Sequence, residues 1–543
     1  MQRTSTATAM RGGRGAYAAP NARRGGRPVS LTELPYRPEV DPAVLAVMVV
    51  GTMAGLGFML FTGSGNFWLN LAAGVMVLVG FAVMRAKPET LPILIIGYIC
   101  FNRQVRRVLD WAVGEFSVLP ATSLVVPLLG LAMGAVALRG WSTLARELRL
   151  GFVLLILAIV YGTGLGLASG QRIGAIHEAL SWLAPIAMGL YVVWLRPSWP
   201  VFRGWVNWTV LFVVLTTVYG WIQWLILPPW DAFWAINANM ASLGRVEPQL
   251  IRYFGTFGGP GPMAKLLTTT LVMAMIVNTM PKPLRLVACL MMGLSTVMTQ
   301  VRSSWLVVFL AMGALLAQTR LREKIGLVVV FGACTVGGFF ALPLLPGGEA
   351  MVQRIQTLGN VSADGSFRGR VAFSGWAMRA IAAQPWGYGF GSTGLSAMRT
   401  GEAGILVTAF DNGFLQIPFA LGLPGAALVA AGFWSIGKVF FGKTRATIGA
   451  EKQQAIWMGR ALVFGQVAAL AVSNFLKTES AFLVWMMVGV VCVFVLADRA
   501  AGPARSPRGR APATPRGTGG GGVRTDRRPG QATYGIGARR AGG

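Results

Sequence analysis

The chain has 543 residues, is 54% hydrophobic and 12% charged, and has a mean hydropathy of +0.59. That is too apolar for a soluble globular enzyme, and the ten-residue alternating strands of a membrane β-barrel are missing from it. The net charge of +29 invites nucleic acid as a partner, but seventeen of the 48 basic residues lie in two tails, 1–41 and 498–543. Both tails are rich in Arg, Gly and Pro, a composition that predicts disorder beside anionic membrane lipid, so no nucleic acid is expected.

Fourteen apolar segments are predicted in chain order: 42–62, 66–84, 90–101, 118–138, 150–169, 179–195, 204–227, 262–280, 284–300, 303–318, 325–345, 411–436, 455–475 and 479–497. Most are long enough to cross a ~30 Å hydrocarbon core; the third is the shortest. The fold class is therefore an all-α polytopic membrane protein with about 12–14 transmembrane helices. Its domains are a cytoplasmic tail (1–41), transmembrane helices 1–11 (42–345), a cap loop (346–410), helices 12–14 (411–497) and a second cytoplasmic tail (498–543). The first tail is too long for a signal-peptide n-region and no cleavage site follows it, so the first helix is expected to stay as an anchor. With the N-terminus inside, the short inner connections carry sixteen Lys and Arg and the short outer ones six. That asymmetry obeys the positive-inside rule and leaves both termini cytoplasmic. Cys100, Cys289, Cys334 and Cys492 stand singly in apolar segments and read as small buried hydrophobes.

Two outer connections are long, 228–261 and 346–410. The second has an amphipathic helical period from Arg370 to Ala383 followed by a Gly-rich turn, and reads as an ordered cap. Arg252, Arg302, Arg354, Arg368, Arg370, Arg379 and Arg399 all fall on this outer side. Guanidinium groups converging there suit a pyrophosphate, which they pair bidentately and stabilise as a leaving group, although an arginine such as Arg302 also snorkels to lipid headgroups. Asp411 opens the segment after the cap. It can accept a proton from an attacking sugar hydroxyl or cap the helix, and the two roles are compatible. Asn412 and Gln416 share one helical face, and Pro418, Gly422, Pro424 and Gly425 predict a kink. Trp376, Trp386 and Tyr388 are candidates to stack on sugar rings or simply to pack. His177, the one histidine, reads as a packing or interface residue. No metal-ligand spacing occurs on the outer side, so metal-independent chemistry without a cofactor is expected.

In this order, "RYFGTFGGPGPMA", "TQVRSSWLVVFLAMGAL", "GRVAFSGWAMRAIAAQPWGYGFGSTG" and Asp411-Asn412, nine residues, Gly422-Leu-Pro-Gly425 resemble the O-antigen ligase and polymerase family of bacterial inner-membrane glycosyltransferases. The resemblance covers about residues 245–430. It implies a GT-C-like fold and an undecaprenyl-pyrophosphate-linked glycan donor, with metal-free inverting transfer on the periplasmic side. It further implies pyrophosphate binding by Arg252, Arg302 and Arg370, with Arg379 beside them, and catalysis by Asp411 with Asn412. The family's ligases typically carry His where this chain has Asp411, and Asp there looks more like the polysaccharide polymerases. The expectation is a polymerase of capsule, exopolysaccharide or O-antigen repeat units; ligation to lipid A core, or a flippase or secondary transporter, stays as an alternative. Whether a chain-length regulator protein binds is left open.

Overall fold

The computed structural model describes residues 67–318, 365–393 and 410–501, apart from 118–119, 239, 278–279, 411, 445–447, 475 and 478, with Gly332 and Phe340 in addition. The predicted first segment (42–62), nearly all of the eleventh (325–345) and both tails apart from 498–501 lie outside the described residues. In chain order the helices are α1 (Phe67–Ala86), α2 (Leu91–Val113), α3 (Thr122–Leu138), α4 (Arg146–Ala168), α5 (Arg172–Leu195), α6 (Trp199–Ile226) and α7 (Pro229–Ala238). They continue with α8 (Pro260–Ile276), α9 (Lys282–Met298), α10 (Arg302–Gln318), α11 (Gly365–Ala383), α12 (Gly413–Phe440), α13 (Ala450–Ala468) and α14 (Glu479–Ala500).

Six of these, α1, α4, α5, α6, α12 and α14, are long and apolar enough to span a bilayer, and the protein is an all-α polytopic membrane protein. Their burial separates centre from rim. In α14, 78% of the most apolar stretch is buried and in α5 72%, against 44% in α1 and α6 and 39% in α4 and α12. The central pair meets through Gly189 and Gly489, where small residues bring the two backbones together. The α4–α12 contact, the most extensive among the described helices, closes in the same way at Gly151 and Gly432.

The short third segment needs correction. It is a 23-residue helix that runs on through the expected outer loop to Val113. The helix can carry its charges because they are paired: Arg106 bonds Asp110 within α2, and Arg107 bonds Asp231 of α7 at 2.5 Å with neither side chain exposed. Asp231 also accepts from Tyr219 (2.6 Å) and Gln223 (2.9 Å), while Arg107 donates to the carbonyls of Gly255 and Phe257 and lies over the rings of Trp234 and Phe254. This network fastens α7 and the loop before α8 to the bundle. Breaking such a pair from one side leaves a buried charge and costs about 3–5 kcal/mol. Arg107→Met should therefore lower the unfolding midpoint in detergent sharply, and adding Asp231→Leu should recover part of the loss. Equal midpoints for the single and double variants would refute the pairing argument.

Candidate functional site

The kink expected in the segment after the cap is present. Gly422 has φ 63° and ψ −178°, which breaks α12 internally. Pro424 has no N–H to offer the Ala420 carbonyl, and the turn at Gly422 carries the Leu423 N–H away from its helical partner. The freed groups are satisfied from outside by the Gly-rich turn that follows α11. Gly389 N–H donates to Ala420 O (2.9 Å), Tyr388 N–H to Phe419 O (3.0 Å), and Leu423 N–H to Pro385 O (2.7 Å). Gly387 (φ +94°) and Gly422 are packed backbone to backbone: a Cβ on either would lie 2.2–2.3 Å from the other strand of this contact. Both positions need glycine for conformation and for space. The turn then threads the bundle, with Phe390 N–H on Gly162 O of α4 (2.9 Å) and Gly391 N–H on a carboxylate oxygen of Glu178 in α5 (2.8 Å).

Around this lock lies a buried polar cluster. Glu178, 1% exposed, also accepts from Gln416 Nε2 of α12 (3.4 Å) and pairs with Lys477, just ahead of α14. Asn474 donates to Gln416, and Lys265 of α8 donates to the Asn474 carbonyl. Gly413 N–H bonds Ser473 O (3.3 Å). Arg103 of α2 pairs with Glu479 at the start of α14 (3.2 Å) and lies against Gly258. The N-terminal ends of α5, α8, α12 and α14, the C-terminal end of α4 and the C-terminal half of α2 therefore meet at one end of the bundle. Burial pushes the phenol of Tyr253 above its ordinary value, and its hydroxyl donates to Thr217 O (2.6 Å). Among the described residues no three His, Cys, Asp or Glu side chains gather as metal ligands.

The expected site residues distribute unevenly. Asp411 lies outside the described residues, as do Arg354 and Arg399. Asn412 is the N-cap of α12, its side chain accepting from Leu415 N–H (3.2 Å), so the capping role considered for Asp411 belongs to its neighbour. Arg252 donates to Thr299 O (2.8 Å) and Ser242 O (2.9 Å). Thr299 caps α9 and half-buried Arg302 begins α10, so Arg252 and Arg302 are brought to one tight connection, in which Gln300 takes φ 57°.

The predicted amphipathic helix is α11, starting at Gly365 rather than Arg370. Its inner face, with Phe373, Trp376 and Ala377, packs on Phe410, Leu415 and Phe419. Arg370 and Arg379 are nine residues apart, about half a turn around the helix at ~100° per residue, so they do not share a face. Arg379 falls with Arg368 on the side away from Phe373. Trp376 packs between Phe373 and Phe419, and Tyr388 stacks on Phe419 with centroids 4.5 Å apart. Trp386 is the one of the three aromatics with its ring open, 66% exposed.

Sequence reasoning missed Glu178, Lys265, Asn474 and Lys477. A signal existed for two of them: Glu178 beside His177, and Lys265 in "GPMAKLLTTT", are single ionisable residues in apolar surroundings. A search of curated proteins returned no match. A family model described as O-antigen ligase matches residues 287–430, from within α9 through α10, α11 and the Gly-rich turn to the part of α12 beyond the kink. The docked turn and broken helix both fall inside that stretch, and the match supports an O-antigen ligase/polymerase family.

Proposed function

We propose that this protein is an inner-membrane glycosyltransferase that polymerises undecaprenyl-pyrophosphate-linked oligosaccharide repeat units at the periplasmic face, with both termini in the cytoplasm. An acceptor sugar hydroxyl attacks the anomeric carbon of the donor glycan from the face opposite the pyrophosphate. The new glycosidic bond forms as the bond to pyrophosphate breaks, with inversion and without a metal. Asp411 takes the hydroxyl proton, and undecaprenyl pyrophosphate leaves. Arg252 and Arg302 hold the pyrophosphate, with Arg370 reaching it from α11, and Trp386 offers an open ring for a sugar to stack upon.

The observation that carries this reading is the lock between the Pro385–Gly391 turn and the break at Gly422. It brings together the two Gly-containing motifs that resemble the family's, within the first half of α12. The preference for polymerisation over ligation rests on Asp411, where the family's ligases typically carry His. The deciding experiment deletes the gene in its native bacterium and sizes the surface and lipid-linked glycans on a gel. Single repeat units in place of long chains are the expected result. Long chains left off lipid A would make it a ligase, and unchanged glycans would overturn both.

A further inference from the structure

Burying a carboxylate in a central helix costs several kcal/mol unless it is paired and hydrogen-bonded. Glu178 is such a group, and its partners are specific. One oxygen accepts the N–H of Gly391, the last glycine of the turn that docks on α12. The other takes Gln416 Nε2 from the first turn of α12 and the ammonium of Lys477 from the connection to α14. Gln416 is four residues after the cap Asn412, and it also accepts from Asn474. The turn, the start of α12 and the 473–477 connection come from distant parts of the chain, and a single side chain of α5 touches all three.

We propose that Glu178 is a positioning residue for the transfer reaction. Its charge fixes Lys477, and its two oxygens set the register between the Gly-rich turn and the first turn of α12. The proposal rests on the glycosyl-transfer reading. An apolar residue of similar size would pack α5 as well, but it would leave the Gly391 N–H, Gln416 and Lys477 without this common anchor.

The test is kinetic, on full-length protein in detergent or nanodiscs, with a synthetic polyprenyl-pyrophosphate-linked glycan as donor. Glu178→Gln keeps the shape and one acceptor oxygen but sets an amide against the Lys477 ammonium. Its kcat per folded molecule should fall on the order of tens to a hundredfold, as a misplacement near 1 Å does. The donor KM should move by less than about threefold, because donor contacts are retained. Adding Lys477→Met removes the opposed charge and should recover much of kcat, a rescue that a general loss of folding would not give. Gln416→Leu cuts the same anchor from the α12 side and should reproduce the kcat loss even if Glu178→Gln accumulates poorly. An active wild type with an unaffected kcat in Glu178→Gln, or one whose loss only tracks the amount of folded protein, would overturn the proposal alone. A wild type with no transfer activity would bring down the transfer reading and this proposal with it.

Discussion

An Asp411→Asn variant should insert and accumulate like wild type and make no polymer. The amide is nearly isosteric with the carboxylate but cannot take the hydroxyl proton, and loss of a general base costs ~10²–10⁴ in rate. Ordinarily such a loss could be blamed on a frayed helix, because an Asp at this point of the sequence can be a cap. Here that explanation is weak: Asn412 supplies the cap through Leu415 N–H, and Gly413 N–H is held by Ser473 O. Complementing the deletion strain with this variant and sizing its glycans checks the expectation. Single lipid-linked repeat units support catalysis by Asp411, whereas wild-type chain lengths would remove it from the chemistry.

The second large effect is structural. Gly422→Ala should abolish activity and lower the unfolding midpoint, because the added Cβ would lie 2.2 Å from the carbonyl carbon and oxygen of Trp386. Those atoms are backbone and cannot rotate aside, and φ 63° is itself unfavourable for alanine. The turn must leave or α12 must straighten. Either way three hydrogen bonds between them are lost, each worth about 0.5–1.5 kcal/mol net. Gly164→Ala in α4 is the matched control: nothing lies within 4 Å of its Cβ position, so it should keep activity and gain up to about 1 kcal/mol from helix propensity. Thermal unfolding of both in one detergent, with proteolysis across residues 385–393, separates the outcomes. A Gly422→Ala protein that unfolds and works like wild type would mean that the turn does not lock the kink.

Much of the fold was legible in the sequence because its signals are local. A span needs an apolar run, and a kink needs Pro and Gly; Pro418, Gly422 and Pro424 announced theirs. The amphipathic period around Phe373 and Trp376 gave α11 to within a few residues of its start. What failed was pairing at a distance. The continuation of α2 past Arg103 looked like a polar loop because Arg107 is compensated by Asp231, 124 residues later. Glu178 was passed over because Gly391, Gln416 and Lys477 lie hundreds of residues away along the chain. Arg370 and Arg379 were grouped as outer arginines, although the helical period expected from Arg370 to Ala383 already sets them half a turn apart, as α11 does.

The glycine lock also bears on how such a chain can diversify. Ser392 and Thr393 are fully buried on one side of the segment 394–409, and Phe410 is packed against Phe373 and Phe419 on the other. Both ends of those sixteen residues are therefore pinned to the bundle whatever lies between them. For a segment closed in this way, doubling the length adds only about 0.6 kcal/mol of closure entropy. Insertions and recombination between Thr393 and Phe410 should be among the cheapest changes the protein can accept, while a single methyl group at Gly387 or Gly422 is among the most expensive. Sequence drift is thus channelled into one short stretch that ends, along the chain, two residues before Asp411.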